Sequence, residues 1–151
     1  MSASPDVRLR EVEDDDLPIF YENQSDTEAA EMAAFGTRPL VDFMDHWATI
    51  RAMPSAIALT IVVDGSAAGH VNAWMEGDQR EIGYWIGRSW WGRGIGTRAV
   101  ALLIEGLPDR PLVAHVADHN IGSQRVLEKN GFVRIGGAVV DGVAESTYRL
   151  G

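Results

Sequence analysis

The feature that most constrains the fold is a change of period in the middle of the chain. Residues 56–88 hold three alternating segments joined by tight turns, and a glycine-rich loop follows at once and opens an apolar helix. Ala56 to Val63 (A-I-A-L-T-I-V-V), Ala67 to Met75 and Arg80 to Arg88 (R-E-I-G-Y-W-I-G-R) read as strands. Asp64-Gly65 is a hairpin signal, and Glu76 to Gln79 holds a second turn. After the loop, a helix from about Gly96 to Gly106 leads to a strand from Pro111 to Ala117. An antiparallel meander that ends in one strand–helix–strand unit requires a mixed sheet.

The flanking segments fit the same class. Val7 to Val12 alternates as a half-buried strand, and Asp14 to Asp16 begins a capped helix with proline in its first turn. Asp26 to Ala34 and Pro39 to Met53 are helical, with F-G-T-R-P as the turn between them. Phe43, Trp47, Ile50 and Arg51 share a face of the second. Beyond the central unit come a helix from His119 to Asn130 ended by Gly131, a strand from Phe132 to Ala138, a turn at Asp141-Gly142 and a strand from Val143 to Leu150. Residues 1–151 are expected to form a single α/β domain, a mixed, mostly antiparallel sheet around a central βαβ unit.

Composition narrows the function classes. The 151 residues are 46% hydrophobic and 23% charged, ordinary for a globular chain. No apolar run approaches the roughly 20 residues of a membrane span, and M-S-A-S-P-D-V-R does not read as a secretory leader. Cysteine is absent, which removes disulfides and thiol nucleophiles and fits the cytoplasm. A net charge of −9 argues against nucleic acid or an anionic membrane as partner. Against that acidic background Arg88, Arg93 and Arg98 have no acid among them in sequence, suggesting an anionic cofactor and a cationic substrate.

The basic stretch coincides with the glycine loop, S-W-W-G-R-G-I-G-T-R-A-V over Ser89 to Val100. Its G-I-G-T-R-A satisfies the G-x-G-x-x-G/A dinucleotide pattern, and Asp118 stands where an acid is wanted. Yet R-S-W-W-G-R separates Gly94 from the preceding strand, that strand closes a meander, and too little chain remains for further parallel strands. A nucleotide-binding protein preferring NAD or ATP is therefore a minor alternative. Gly92, Gly94 and Gly96 still suit a loop whose amides, backed by a helix dipole, cradle a pyrophosphate.

A second motif, N-I-G-S-Q-R-V-L-E-K-N-G-F over Asn120 to Phe132, reads locally as Asn120 cap, Val126 and Leu127 in the core, Lys129 at the carbonyl end and Gly131 as C-cap. Together the two motifs resemble the GNAT superfamily of CoA-dependent N-acyltransferases. Trp91 to Gly96 matches the loop Arg/Gln-x-x-Gly-x-Gly/Ala, except that Trp91 replaces Arg or Gln; Asn120 to Phe132 matches the later Asn-x-x-Ser segment. W-G-R-G-I-G and E-I-G-Y-W-I look most like the ribosomal-protein alanine N-acetyltransferases. The resemblance implies acetyl-CoA as cosubstrate, with its pyrophosphate on the amides of Trp91, Gly92, Arg93, Gly94, Ile95, Gly96 and Thr97. It implies parallel strands that splay around the pantetheine, a backbone donor at Trp85 or Ile86 for the thioester carbonyl, and Asn120 on the pantetheine arm.

Making an amide from a thioester needs a neutral amine, and an alkyl ammonium with a pKa near ~10 is about one part in a thousand neutral at pH 7. A base is worth about 10²–10⁴-fold. Glu81 is the first candidate, sharing a strand face with Gly83, Trp85 and Gly87; His70, aligned with Asn72 and Trp74, is the second. His115 reads as a sheet-face residue. Ser123 is the expected partner of the leaving thiol. With four scattered histidines no metal site is expected, and no G-x-S-x-G elbow supports a hydrolase. The sequence thus points to an N-acetyltransferase transferring directly to a peptide N-terminus or small amine, as monomer or homodimer. The alternative is a non-catalytic acyl-CoA-binding regulatory module.

Overall fold

A computed structural model describes residues 5–33 and 38–151. In chain order the elements are β1 (Val7–Glu11), α1 (Asp16–Ser25), α2 (Thr27–Met32), α3 (Leu40–Ala52), β2 (Ile57–Val63), β3 (Ser66–Glu76) and β4 (Gln79–Ile86). A 3₁₀ turn (Arg88–Trp90) precedes α4 (Ile95–Glu105), β5 (Leu112–Ala117), α5 (Ile121–Lys129), β6 (Val133–Val140) and β7 (Val143–Leu150). The strands form one sheet in the order β1-β2-β3-β4-β5-β7-β6. Among the described residues only β4 and β5 pair in parallel, and every other neighbouring pair is antiparallel. That single parallel pair, embedded in a meander, rules out the dinucleotide fold, which stacks several.

The two Asp-Gly turns close on positive-φ pairs, Asp64 (φ 49) with Gly65 (φ 86) and Asp141 (φ 52) with Gly142 (φ 80), as a two-residue turn of this hand demands, and the turn expected at Glu76 to Gln79 joins β3 to β4 with Gly77 at φ 61. The predicted third strand runs to Arg88, but β4 stops at Ile86. Gly87 donates to the Ala68 carbonyl and the chain then turns 3₁₀, with Trp90 and Trp91 amides bonded back to Gly87 and Arg88. The helix expected to reach Ala34 ends at Met32; Ala34, most of the F-G-T-R-P turn and Met1 to Ser4 lie outside the described residues.

The sheet carries helices on both faces. Ile61, Val71, Ala73, Ile82, Leu112 and Ala114 pack under Ile95, Ala99, Val100 and Leu103 of α4 and Leu127 of α5. On the opposite face Leu17 and Phe20 of α1 join Phe43 and Trp47 of α3. The shared face read for α3 is correct for Phe43 and Trp47, whereas Arg51 lies outside and pairs with Asp14 at 2.7 Å. The second helix layer is anchored by a buried carboxylate: Asp16 receives Arg10 through both oxygens (2.7 and 2.9 Å), the Thr60 hydroxyl (2.7 Å) and the Glu13 amide (2.9 Å).

Candidate active site

β4 and β5 meet only at Arg80↔Leu112 and Glu81↔Val113, and then part. Since Gly87 donates to Ala68 at 2.9 Å, alternation directs the backbone groups of Glu81, Gly83 and Trp85 toward β3. Those of Ile82, Tyr84 and Ile86 face the gap. A preorganised donor for a carbonyl lying there therefore belongs to Tyr84 or Ile86, and the Trp85 amide points the other way. The Ile86 carbonyl is taken by the Trp91 indole N–H at 2.9 Å, which ties the glycine loop to the strand. The parting strands enclose a cleft of about 320 Å³ lined by residues including Gly83, Tyr84, His115, Asn120, Ser123 and Glu145.

The loop that follows the 3₁₀ turn is shaped by its glycines. Gly92 (φ 78) and Gly94 (φ 75), the N-cap of α4, are in the left-handed region. Gly96 serves packing: a Cβ there would stand 2.9 Å from Ile86 Cδ1. The first amides of α4 have no intrahelical acceptor, so they and the helix dipole point at the space beside the loop. Asn130 Nδ2 donates to the Thr97 carbonyl at 3.2 Å, locking the second motif to the first. Of the basic residues, Arg93 lies over the Trp90 ring at 5.4 Å, while Arg88 is neutralised by Asp26 (2.8 Å) and Glu28 (3.0 Å). The sequence showed no acid near Arg88 because these two are supplied from about 60 residues away.

On the α4–α5 side of the gap the hydroxyls of Tyr84 and Ser123 are 2.5 Å apart, and the phenol also lies 3.1 Å from the Ser123 carbonyl. Burial pushes the Tyr84 phenol up to about 12, so it stays protonated and acts as a donor. Asn120 is the N-cap of α5, its side-chain oxygen accepting from the Ser123 amide at 3.2 Å, and it also lines the cleft. Tyr84 was not singled out from sequence. Alternation places it opposite Glu81, but nothing local indicated a partner 39 residues away.

On the α1–α3 side, Glu81 is buried next to the last β4–β5 pair, 3.2 Å from His115 Nε2, and accepts from Gln79 Nε2 at 3.2 Å. Trp74 lies across Gly83, where a Cβ would meet its ring at 3.2 Å. His70 does share this face, but it is set between the Phe20 and Trp47 rings, both 4.9 Å away, with Nδ1 2.6 Å from Asn72 Oδ1. Burial brings its pKa down to about 4, so it is neutral at pH 7, and it is not among the residues lining the cleft. Where β4 runs out, a second depression of about 400 Å³ lies between Glu22, Asn23, Asp26, Arg88 and Ser89. Among the described residues no helix is long and apolar enough to cross a membrane, and no group of three or more His, Asp and Glu is placed to hold a metal.

A glycine loop capping a helix, two strands splayed beside it and a hydroxyl pair in the gap define an acyl-transfer architecture. Residues 6–133 match the family described as "Acetyltransferase (GNAT) domain", and the chain belongs to that family. The fold is similar to an aminoglycoside acetyltransferase, AAC(6')-Ib, solved with coenzyme A and kanamycin (21% identity, 96% of this chain and 94% of that chain, TM-score 0.81). It is also similar to a GNAT-family acetyltransferase from Bacillus anthracis (17% identity, 95% and 93% covered, TM-score 0.82). A spermidine N-acetyltransferase from Vibrio cholerae, solved with CoA and spermine, shares it too (16% identity, 95% and 92% covered, TM-score 0.80). A search of curated proteins found no significant match.

Proposed function

We propose that the protein transfers the acetyl group of acetyl-CoA directly to a cationic amine in a ternary complex. The observation that carries this reading is the cleft itself. It opens where β4 and β5 part and has a hydroxyl pair on one side and a carboxylate–imidazole pair on the other. The residues present fit the cosubstrate. The amides of Trp91 to Thr97 would hold the pyrophosphate with Arg93 beside them, Tyr84 and Ile86 would supply the backbone donor, and Asn120 and Ser123 would meet the pantetheine end. A preorganised donor of this kind is worth about 2.7–4 kcal/mol at a developing oxyanion. Direct transfer is supported by the absence of cysteine and by Ser123 having a phenol, rather than a base, as its partner.

On the acceptor side, Glu145 at the cleft wall and the buried Glu81 behind His115 supply negative charge that suits a small polycation, in line with the spermine and kanamycin carried by two of the similar structures. The peptide N-terminus implied by the likeness to ribosomal-protein alanine acetyltransferases has no such support. Spermine, kanamycin and an alanyl peptide offered with acetyl-CoA, read by free-thiol release, decide the matter. We expect the polycations to react and the peptide to lag; acetyl-CoA binding without transfer to any amine would instead indicate a binding-only module. Ser123→Ala should lower kcat by about 100-fold with acetyl-CoA affinity little changed. Tyr84→Phe should lower it less, because Ser123 keeps its own proton. Unchanged turnover in both variants would remove the hydroxyl pair from the mechanism.

A further inference from the structure

We propose that His115, rather than Glu81, takes the proton from the acceptor amine, and that Glu81 is the positioning residue that holds the ring. This rests on the acetyltransferase reading above. Glu81 is a poor point of contact for a substrate, since its side chain is 8% exposed and its oxygens face His115 Nε2 and Gln79 Nε2, each at 3.2 Å. His115 lines the cleft and is 37% exposed. A proton moving from the cleft to Glu81 meets the imidazole first.

The ring's neighbours also assign its nitrogens. A carboxylate only accepts, so with Glu81 Oε1 3.2 Å from Nε2 the tautomer that suits the ring's surroundings has its hydrogen on Nε2 and its lone pair on Nδ1. Thr147 Oγ1 stands 3.1 Å from Nδ1, where a hydroxyl donates to that lone pair and can rotate away. Glu145 Oε1 lies 3.9 Å from Nδ1, on the cleft side of the ring. A buried carboxylate fixing the tautomer of an imidazole base is the division of labour of a Ser-His-Asp triad. Glu81 comes from β4, His115 from β5, and Thr147 and Glu145 from β7, so the arrangement is held by three strands of one sheet.

The faces complete the scheme. His115, Glu81, Thr147 and Glu145 lie on the α1–α3 side of the sheet, and Tyr84 and Ser123 on the other. The ammonium gives one proton to Nδ1 and through it to solvent. The freed nitrogen pair forms the C–N bond, the carbonyl pair moves to oxygen and returns, and the C–S bond breaks with its pair on sulfur. Of the two protons then left on nitrogen, one reaches sulfur on the Ser123 side and the amide keeps the other. The two proton movements thus occur on opposite sides of the sheet.

The test compares the full-length protein with His115→Ala, His115→Gln and Glu81→Gln in acetyl-CoA turnover with spermine, kanamycin and an alanyl peptide. We expect His115→Ala to lose about 10²–10³-fold in kcat with KM for acetyl-CoA unchanged. Free imidazole should restore at least about tenfold of that loss, which a merely structural histidine would not show. Glu81→Gln should lower kcat less, again without changing KM for acetyl-CoA. Near-normal kcat in His115→Gln, or no rescue of His115→Ala by imidazole, overturns the proposal. If Glu81→Gln alone then abolishes turnover, acetyl transfer stands with Glu81 as its base. If the wild type acetylates none of the three amines, the acetyltransferase reading itself fails.

Discussion

Gly94→Glu is expected to abolish saturable coenzyme A binding, with affinity in calorimetry falling by at least about 100-fold, or ~2.7 kcal/mol. Two causes act together. Gly94 caps α4 at φ 75, a conformation that costs an L-residue about 1–2 kcal/mol. The space around it is open, with nothing within 4 Å of a Cβ, so the carboxylate would project freely into the region where the pyrophosphate is proposed to lie. There it would set a negative charge against the anion and compete for the same amides. Gly65→Ala is the control, since Gly65 has φ 86 and equally open surroundings but sits at the β2–β3 hairpin. It should lower stability by a similar amount and leave coenzyme A binding intact. Normal binding by a folded Gly94→Glu protein would move the phosphate site away from this loop.

The difference between these two glycines also marks how far the sequence could be read. Period and turn residues located the strands and helices, because alternation, Asp-Gly pairs and glycine caps act over a few residues. The loop and the Asn120 to Phe132 segment were likewise visible as local patterns. What stayed hidden depends on pairs distant in sequence. His115 read as an ordinary sheet-face residue until the β4–β5 register brought it to Glu81, and Tyr84 had no apparent role until α5 carried Ser123 to it. His70 shows the converse. Its alternation with Asn72 and Trp74 was correct, but α1 and α3 place Phe20 and Trp47 against it. Alternation names a face; it does not say which helix covers that face. Arg88 shows the same limit for charge, since one arginine of a basic stretch in sequence is neutralised by acids at the start of α2.

Asp16→Ala is expected to cost about 3 kcal/mol, lowering Tm by roughly 6–12 °C. The substitution would strip the Thr60 hydroxyl, fully buried at 0% exposure, of its acceptor and leave the Glu13 amide without its partner. Arg10 would lose both contacts, but its side chain is 37% exposed and can turn to water, which keeps the cost at the lower end for a broken buried pair. Burial works against ionisation of Asp16, but the Arg10, Glu13 and Thr60 hydrogen bonds outweigh it and bring the carboxyl down to about 2 from 3.8. A depressed carboxylate stabilises the folded state above its unfolded pKa and loses that contribution as pH falls through the folded value. The stability gap between wild type and Asp16→Ala should therefore be full at pH 6, begin to close below about pH 4 and be narrowest near pH 2. Denaturant midpoints across that range check it, and a gap independent of pH would show that the charge is not what stabilises. α1 also carries Phe20, which packs on His70, and Asn23, whose amide lies against Gly87 where β4 ends. Coenzyme A binding should change little, since the glycine loop is held apart from α1, by the Ile86 carbonyl and by Asn130.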